Sequence, residues 1–244
     1  MNFKMTMLPA DEFSAKLRAV GVGRYHHLHP VHVRMNAGEL NPEQIRTWVA
    51  NRFCYQRSIP VKDAAIVSNC PVREVRRAWL HRISDHDGTA EKQGGIEAWL
   101  RLSEACGLTR EEVLDERHVL PGVRFAVEAY VNFARTKPWP VAIASSLTEL
   151  FAPDLMSERL AAFQKYYTWV PAWGFDYFRS RVTQARVDSE EGLALTLKYC
   201  DTPQLQQAAI AALGFKCDVL WSILDAMLLS FQQKTFNAGG PPRG

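Results

Sequence analysis

The stretch Trp48–Lys62, WVANRFCYQRSIPVK, reads as a helix whose apolar face carries charge. At about 100° per residue, Ile45, Trp48, Val49 and Phe53 define one arc, and Arg52 and Gln56 fall inside it. A buried guanidinium without a partner costs at least several kcal/mol. A fold that buries this face must therefore supply an internal carboxylate or a bound anion.

The pattern recurs along the chain. Lys216 sits among Ala209, Leu213, Leu220, Ile223 and Met227 on one helical face. Trp79 and Ile83 share a face with His86, and Arg82 flanks it. Tyr130 is bracketed by Val123, Val127 and Ala134, while Tyr177 and Arg181 are one turn apart. Glu149 adjoins Leu150 and Phe151. Each has an ordinary alternative: a lysine that snorkels to solvent, a satisfied core histidine, a packed tyrosine, a glutamate that neutralises one arginine. Taken together, several cations on faces directed inward would repel one another without anions. The expectation is a pocket for a polyanionic small molecule, above all a polycarboxylate.

Pro and Gly punctuate a chain of helical segments, with no convincing alternating strand; HVLPGVRF, the nearest candidate, reads better as a loop. Phe13, Leu17 and Val20 mark a short first helix. Asn41-Pro42-Glu43-Gln44 is a helix start with a capping box, and that helix is expected to end before Pro60. Pro71 opens another that ends near Asp87-Gly88, and Ile96 to Ala105 follows. Thr109 with Glu112 is a second capping box. Further helices are expected over Val123–Ala134, over Pro140–Phe151, from Pro153, and from Thr202-Pro203 to Phe231. The fold class is all-α, a compact bundle. Residues 1–232 form a single domain, and 233–244, ending NAGGPPRG, form a flexible tail or linker.

At 244 residues the chain can bury a substantial single core. A net charge of +3 gives little support to nucleic-acid binding. The bias toward arginine, 20 Arg against 9 Lys, suits carboxylates and phosphates. Five dispersed cysteines without a CxxC pair read as reduced thiols. The start MNFKMTMLPADEF lacks a signal-peptide core, and no run approaches 18 apolar residues. A cytoplasmic, membrane-free protein is expected. No metal site is expected either. A di-iron bundle needs Glu-x-x-His motifs, and none occurs; Asp115-Glu116-Arg117-His118 is the nearest match. The tract His26, His27, His29 and His32 is too tightly clustered to make a full site. No phosphate loop, GxSxG or Walker motif is present.

The segments YHHLHP, WVANRFCYQRSIPVKDAAI, RISDHDG, GGIEAWLRL, ERHVLPGVRFAVEAYVNFAR, SSLTELFAP, YFRSR and FKCDVLWSILDAM, spread over residues 10 to 232, resemble the pyrroloquinoline-quinone synthase family. The resemblance implies a seven-helix bundle of haem-oxygenase-like type, working as a homodimer without haem or metal. It implies a cofactor-free oxidase, with dioxygen as co-substrate. The enzyme closes a ring and oxidises a multiply carboxylated precursor to pyrroloquinoline quinone (PQQ), releasing hydrogen peroxide. Matched motif by motif, His86, Tyr177 and Arg181 border the dioxygen position. Tyr25, His26, Arg52, Gln56, Lys62, Arg82, Tyr130, Thr148, Glu149, Arg159 and Lys216 hold the substrate. Met156 stands where the family commonly has a histidine, and Cys54 where it often has an aromatic residue. GGPPRG resembles the junction to a small carrier domain of the same pathway. Three alternatives remain: a thiaminase-like enzyme using Cys106 or Cys200 as nucleophile, a haem-handling bundle, and a non-catalytic carrier of a polycarboxylated quinone.

Overall fold

The computed structural model describes residues 6–151 and 154–238, and their side chains outside 183–189 and 234–238. Among the described residues every regular element is helical. The helices are α1 (Ala10–Ala19), α2 (Pro30–Asn36), α3 (Pro42–Asn69), α4 (Arg73–Asp87), α5 (Gly95–Ala105), α6 (Arg110–Leu114), α7 (Pro121–Thr136), α8 (Trp139–Ala144), α9 (Leu155–Tyr166), α10 (Asp176–Tyr199) and α11 (Pro203–Ala238). Short 3-10 turns cover His26–Leu28, Leu147–Leu150 and Ala172–Phe175. The expected count of seven is thus corrected. The helices of eleven residues or more are α3, α4, α5, α7, α9, α10 and α11. The others are short pieces of one to three turns between Pro, Gly and Ser breaks.

Start and stop chemistry matches the elements it should. Asn41 accepts from Gln44 N at 2.9 Å while Gln44 Oε1 accepts from Asn41 N at 3.0 Å. Thr109 and Glu112 make the second box at the head of α6. Gly88 ends α4 with φ +86°, a conformation that glycine adopts without Cβ strain.

Two expectations fail for identifiable reasons. The helix expected to stop before Pro60 continues to Asn69. Pro60 has no N–H for the carbonyl of Gln56, a defect worth roughly 3 kcal/mol in an isolated helix. Burial of Asp63, Ala65 and Ile66 beyond it, and packing of α3 along α4 and α7, outweigh that defect. The helix expected over Pro140–Phe151 breaks after Ala144. There Ser145 Oγ donates to the Ala142 carbonyl at 2.6 Å, and Ser146 Oγ accepts from Lys62. Hydroxyls bonded in this way compete with the helix ladder. HVLPGVRF is half loop and half helix, because α7 starts at its proline. Pro153 lies outside the described residues. The expected tail from 233 is helical as far as Ala238, and 239–244 also lie outside the described residues.

α3 is the central element, packed against α7, α4, α5 and α11. Trp48, Trp79 and Trp99 are fully buried around it, and each such apolar burial contributes on the order of 2–3 kcal/mol. Trp99 satisfies its indole N–H on the Val49 carbonyl at 3.0 Å. Among the described residues no helix is long and apolar enough to cross a membrane.

Candidate active site

The inner face of α3 meets α4, α7, α10, α11 and the turns at 26–28 and 147–150 around one interior cavity. Its lining includes Tyr25, His26, Arg52, Gln56, Lys62, Arg82, His86, Tyr130, Thr148, Glu149, Tyr177, Arg181 and Lys216. The space between them, counted with its opening to solvent, is about 620 Å³. Every residue expected at the site is on this wall except Arg159. Arg159 lies behind it, with Cζ 5.3 Å from the Trp48 ring and Nη2 3.1 Å from His32 Nε2. It is on α9, which packs against α2 and α10 and sends Met156, not Arg159, to the cavity wall.

Helical spacing gathers these groups as the arcs implied. Arg52, Gln56 and Lys62 share the inward face of α3; Arg82 and His86 stand one turn apart on α4, as do Tyr177 and Arg181 on α10. Gln56 Nε2 donates to Tyr177 Oη at 2.7 Å, leaving Gln56 Oε1 without a partner. Arg181 Nη2 donates to Glu149 Oε1 at 2.5 Å, leaving Glu149 Oε2 without one. Lys216 does not snorkel: it is 1% exposed. Its Nζ donates to Tyr55 Oη at 2.6 Å and sits 3.4 Å above the Tyr130 ring. Arg52 also stacks on Tyr55, with Cζ 4.1 Å from the ring centre.

Among the described residues cationic side chains outnumber carboxylates here: Arg52, Lys62, Arg82, Arg181 and Lys216 reach the wall, with Glu149 on the wall and Asp63 beneath it. The titrations respond accordingly. Burial, then Lys62 and Arg52, push the Lys216 ammonium well below its ordinary range. Burial and then Arg181 push His86 down to about 3, so its imidazole is neutral at neutral pH. Its Nδ1 is buried without a partner. Burial, followed by His32 and Arg52, lowers His26. Burial raises the hydroxyls of Tyr25, Tyr55 and Tyr177, which stay protonated. Arg159 falls to about 10 through burial and the Arg52 charge.

Some wall residues escaped the sequence reading. Tyr55, three residues from Arg52 in the same helix, and Ser146 in the SSLTELFAP segment both line the cavity, with Ile59 and Leu220 as apolar floor. Tyr55 could have been found from its i+3 spacing to Arg52. Met156, the position expected to depart from the family pattern, also lies on the wall. Cys54 points elsewhere, with its thiol pushed up to about 12 by burial and then Glu116.

Among the described residues the cysteine-nucleophile alternative finds no geometry. Cys106 and Cys200 are fully buried away from the cavity, and burial pushes both thiols to about 12. The histidine tract diverges: His26 faces the cavity, His32 meets Arg159, and His29 bonds Asp225 at 3.1 Å beside Trp221. Among the described residues no group of three His, Cys, Asp or Glu side chains is placed to hold a metal ion.

Comparison with known proteins agrees with this picture. The TENA/THI-4/PQQC family model matches residues 14–226. A Cronobacter sakazakii protein named pyrroloquinoline-quinone synthase is 59% identical, over 92% of this chain and 89% of that protein. One of the same name from Pseudomonas aeruginosa is 57% identical, over 91% and 88%. Among solved structures, a domain of unknown function with a haem-oxygenase-like fold from Shewanella denitrificans superposes with a TM-score of 0.75 at 15% identity, covering 98% of this chain and 99% of that one. A TenA homologue from Pseudomonas syringae gives 0.72 at 16% identity, covering 93% and 99%. These two share the fold.

Proposed function

The chain belongs to the TENA/THI-4/PQQC family, and from that premise we propose that it is a pyrroloquinoline-quinone synthase acting in PQQ biosynthesis. It closes the ring of the polycarboxylate precursor and oxidises it with dioxygen, releasing PQQ and hydrogen peroxide. The observation that carries this reading is the excess, among the described residues, of cationic side chains over carboxylates around one cavity. In the absence of ligand that excess is unfavourable; a multiply carboxylated ring relieves it. Arg52, Lys62, Arg82 and Lys216 clamp the carboxylates by charge-assisted hydrogen bonds.

The substrate itself supplies the electrons, so the protein positions the ring and handles protons without a cofactor. Each dioxygen reduced to hydrogen peroxide takes two electrons and two protons from the substrate. Neutral His86 accepts a substrate proton, and the bound anion favours its imidazolium form. Tyr177, oriented by Gln56, and Arg181, held by Glu149, donate hydrogen bonds to the reduced oxygen species. The same reading carries a homodimer, a cytoplasmic setting and an encounter with a small carrier domain.

Dioxygen uptake by metal-stripped protein given the ring-open precursor tests it, with PQQ followed by absorbance. Oxygen uptake with PQQ and peroxide appearing is the expected result. Tight PQQ binding without oxygen uptake would instead identify a carrier. His86→Ala should slow oxidation more than it weakens binding, and unchanged turnover would remove His86 from the mechanism.

A further inference from the structure

Asp63 does not line the cavity, yet it is the anion on which two cavity cations converge. It is completely buried between α3 and α4. Its Oδ1 accepts from Lys62 Nζ at 2.5 Å and from Trp79 Nε1 at 2.7 Å. Arg82 Nε stands 3.8 Å from Oδ2, and the Arg82 guanidinium stacks on Trp79 with Cζ 4.7 Å from the ring. Lys62 Nζ also donates to Ser146 Oγ at 2.9 Å. Lys62 and Asp63 are successive residues, so the helix turns one toward the cavity and the other toward α4. Trp79 and Arg82, three apart on α4, reach the same carboxylate from the facing helix.

We propose that Asp63 is a positioning residue for the reaction. Through one carboxylate it holds Lys62 and Arg82 in the arrangement that orients the substrate carboxylates. A dry carboxylate is costly unless paired, and among the described residues this one is paired with Lys62 and Arg82, which reach the cavity wall, and with the Trp79 indole that supports them. Burial would raise its pKa, but Lys62 and Arg82 more than offset that, so it stays an anion. Without it, two neighbouring cations would repel each other and leave the geometry in which the bound ring meets dioxygen. A displacement of about 1 Å at such a clamp can cost about a hundredfold in rate. The role rests on the reading of the cavity as an oxidase site for a polycarboxylate.

Asp63→Asn tests it, because the amide keeps the shape and leaves both cations in place. PQQ binding should stay within about threefold of the parent protein, while kcat for the precursor falls at least about tenfold. The loss in Lys62→Met/Asp63→Asn should be smaller than the sum of the two single losses, since part of the Asp63 effect runs through Lys62 and the rest through Arg82. Turnover in Asp63→Asn within about threefold of the parent overturns the proposal, and so do losses that add in the double variant. Parallel loss of PQQ binding and thermal stability also overturns it, because that is the signature of a merely structural carboxylate. If the parent binds PQQ but does not oxidise the precursor, the functional reading fails separately. The absorbance spectrum of bound PQQ then decides: a spectrum altered in Asp63→Asn supports positioning, and an unaltered one refutes it.

Discussion

Replacing Lys216 with methionine should make the ligand-free protein progressively less advantaged over its parent as pH rises. Lys216 is fully buried, and its folded-state pKa is held well below 10.5 by burial and then by Lys62 and Arg52. In the unfolded chain the same amine is protonated up to its ordinary value. Between the folded and unfolded values the unfolded state therefore binds one more proton, and stability rises with pH. The contribution is complete above 10.5 and is lost as pH falls toward the folded value. Each pH unit in that window is worth up to about 1.4 kcal/mol for one proton. Over the part of pH 7–9 that lies above the folded value, the parent should gain on Lys216→Met by up to about 1.4 kcal/mol per pH unit. For a chain of this length each kcal/mol is a relative shift in Tm of roughly 2–4 °C.

The truncation also strands the Tyr55 hydroxyl, at about 1–3 kcal/mol. That cost does not vary with pH in this range, because the raised Tyr55 hydroxyl stays protonated throughout. The slope is therefore the diagnostic quantity. Urea unfolding of both proteins at pH 7, 8 and 9 measures it. A stability gap independent of pH would refute the claim that Lys216 is buried as a depressed amine. The linked expectation is that PQQ binding takes up protons, because an arriving anion restores the ammonium form. Heats of binding in buffers of different ionisation enthalpy should reveal an uptake that is missing in Lys216→Met.

With His86 held at about 3, the kcat/KM profiles of the parent and His86→Asn should run parallel between pH 5 and 8; a limb near 6.5 found only in the parent would contradict the structure. A Cβ at Gly94 would collide with the backbone of Gly88 and His86, so Gly94→Ala should destabilise by more than about 2 kcal/mol and disturb His86, measured by Tm and turnover. Gly95→Ala is milder, because its Cβ would lie 3.3 Å from His86 Nδ1 and 3.5 Å from the Tyr177 ring; turnover should fall severalfold with Tm nearly unchanged, and unaltered kinetics would show that this corner of the site is roomy. Asn51 is buried and bridges α3 to the Val119 loop, donating to His118 O at 3.1 Å and accepting from Leu120 N at 2.8 Å. Asn51→Leu should cost roughly 2–4 kcal/mol in denaturant unfolding.

The sequence alone determined the class of the fold and the character of the site. Helix starts were legible because capping boxes and N1 prolines are local chemistry, decided within four residues at Asn41 and Thr109. The cationic interior was legible because periodicity puts Arg52, Arg82 and Lys216 on arcs that must be buried. Only the tertiary structure decided that α3 runs through Pro60, since the offsetting energy comes from α4 and α7 and not from the helix itself. Only it placed Arg159 behind the wall, because periodicity says that a side chain is buried but not which neighbour covers it. It alone separated Lys62 from Asp63 in role. The packing of Trp79 makes Asp63 a buried support beneath the cavity, a role that nothing in the sequence pattern singled out. His86 carries the same lesson. A histidine ordinarily titrates near neutrality, but burial and the facing Arg181 lower this one far from that range. Those effects depend on neighbours distant in sequence, and such neighbours meet only when the bundle closes.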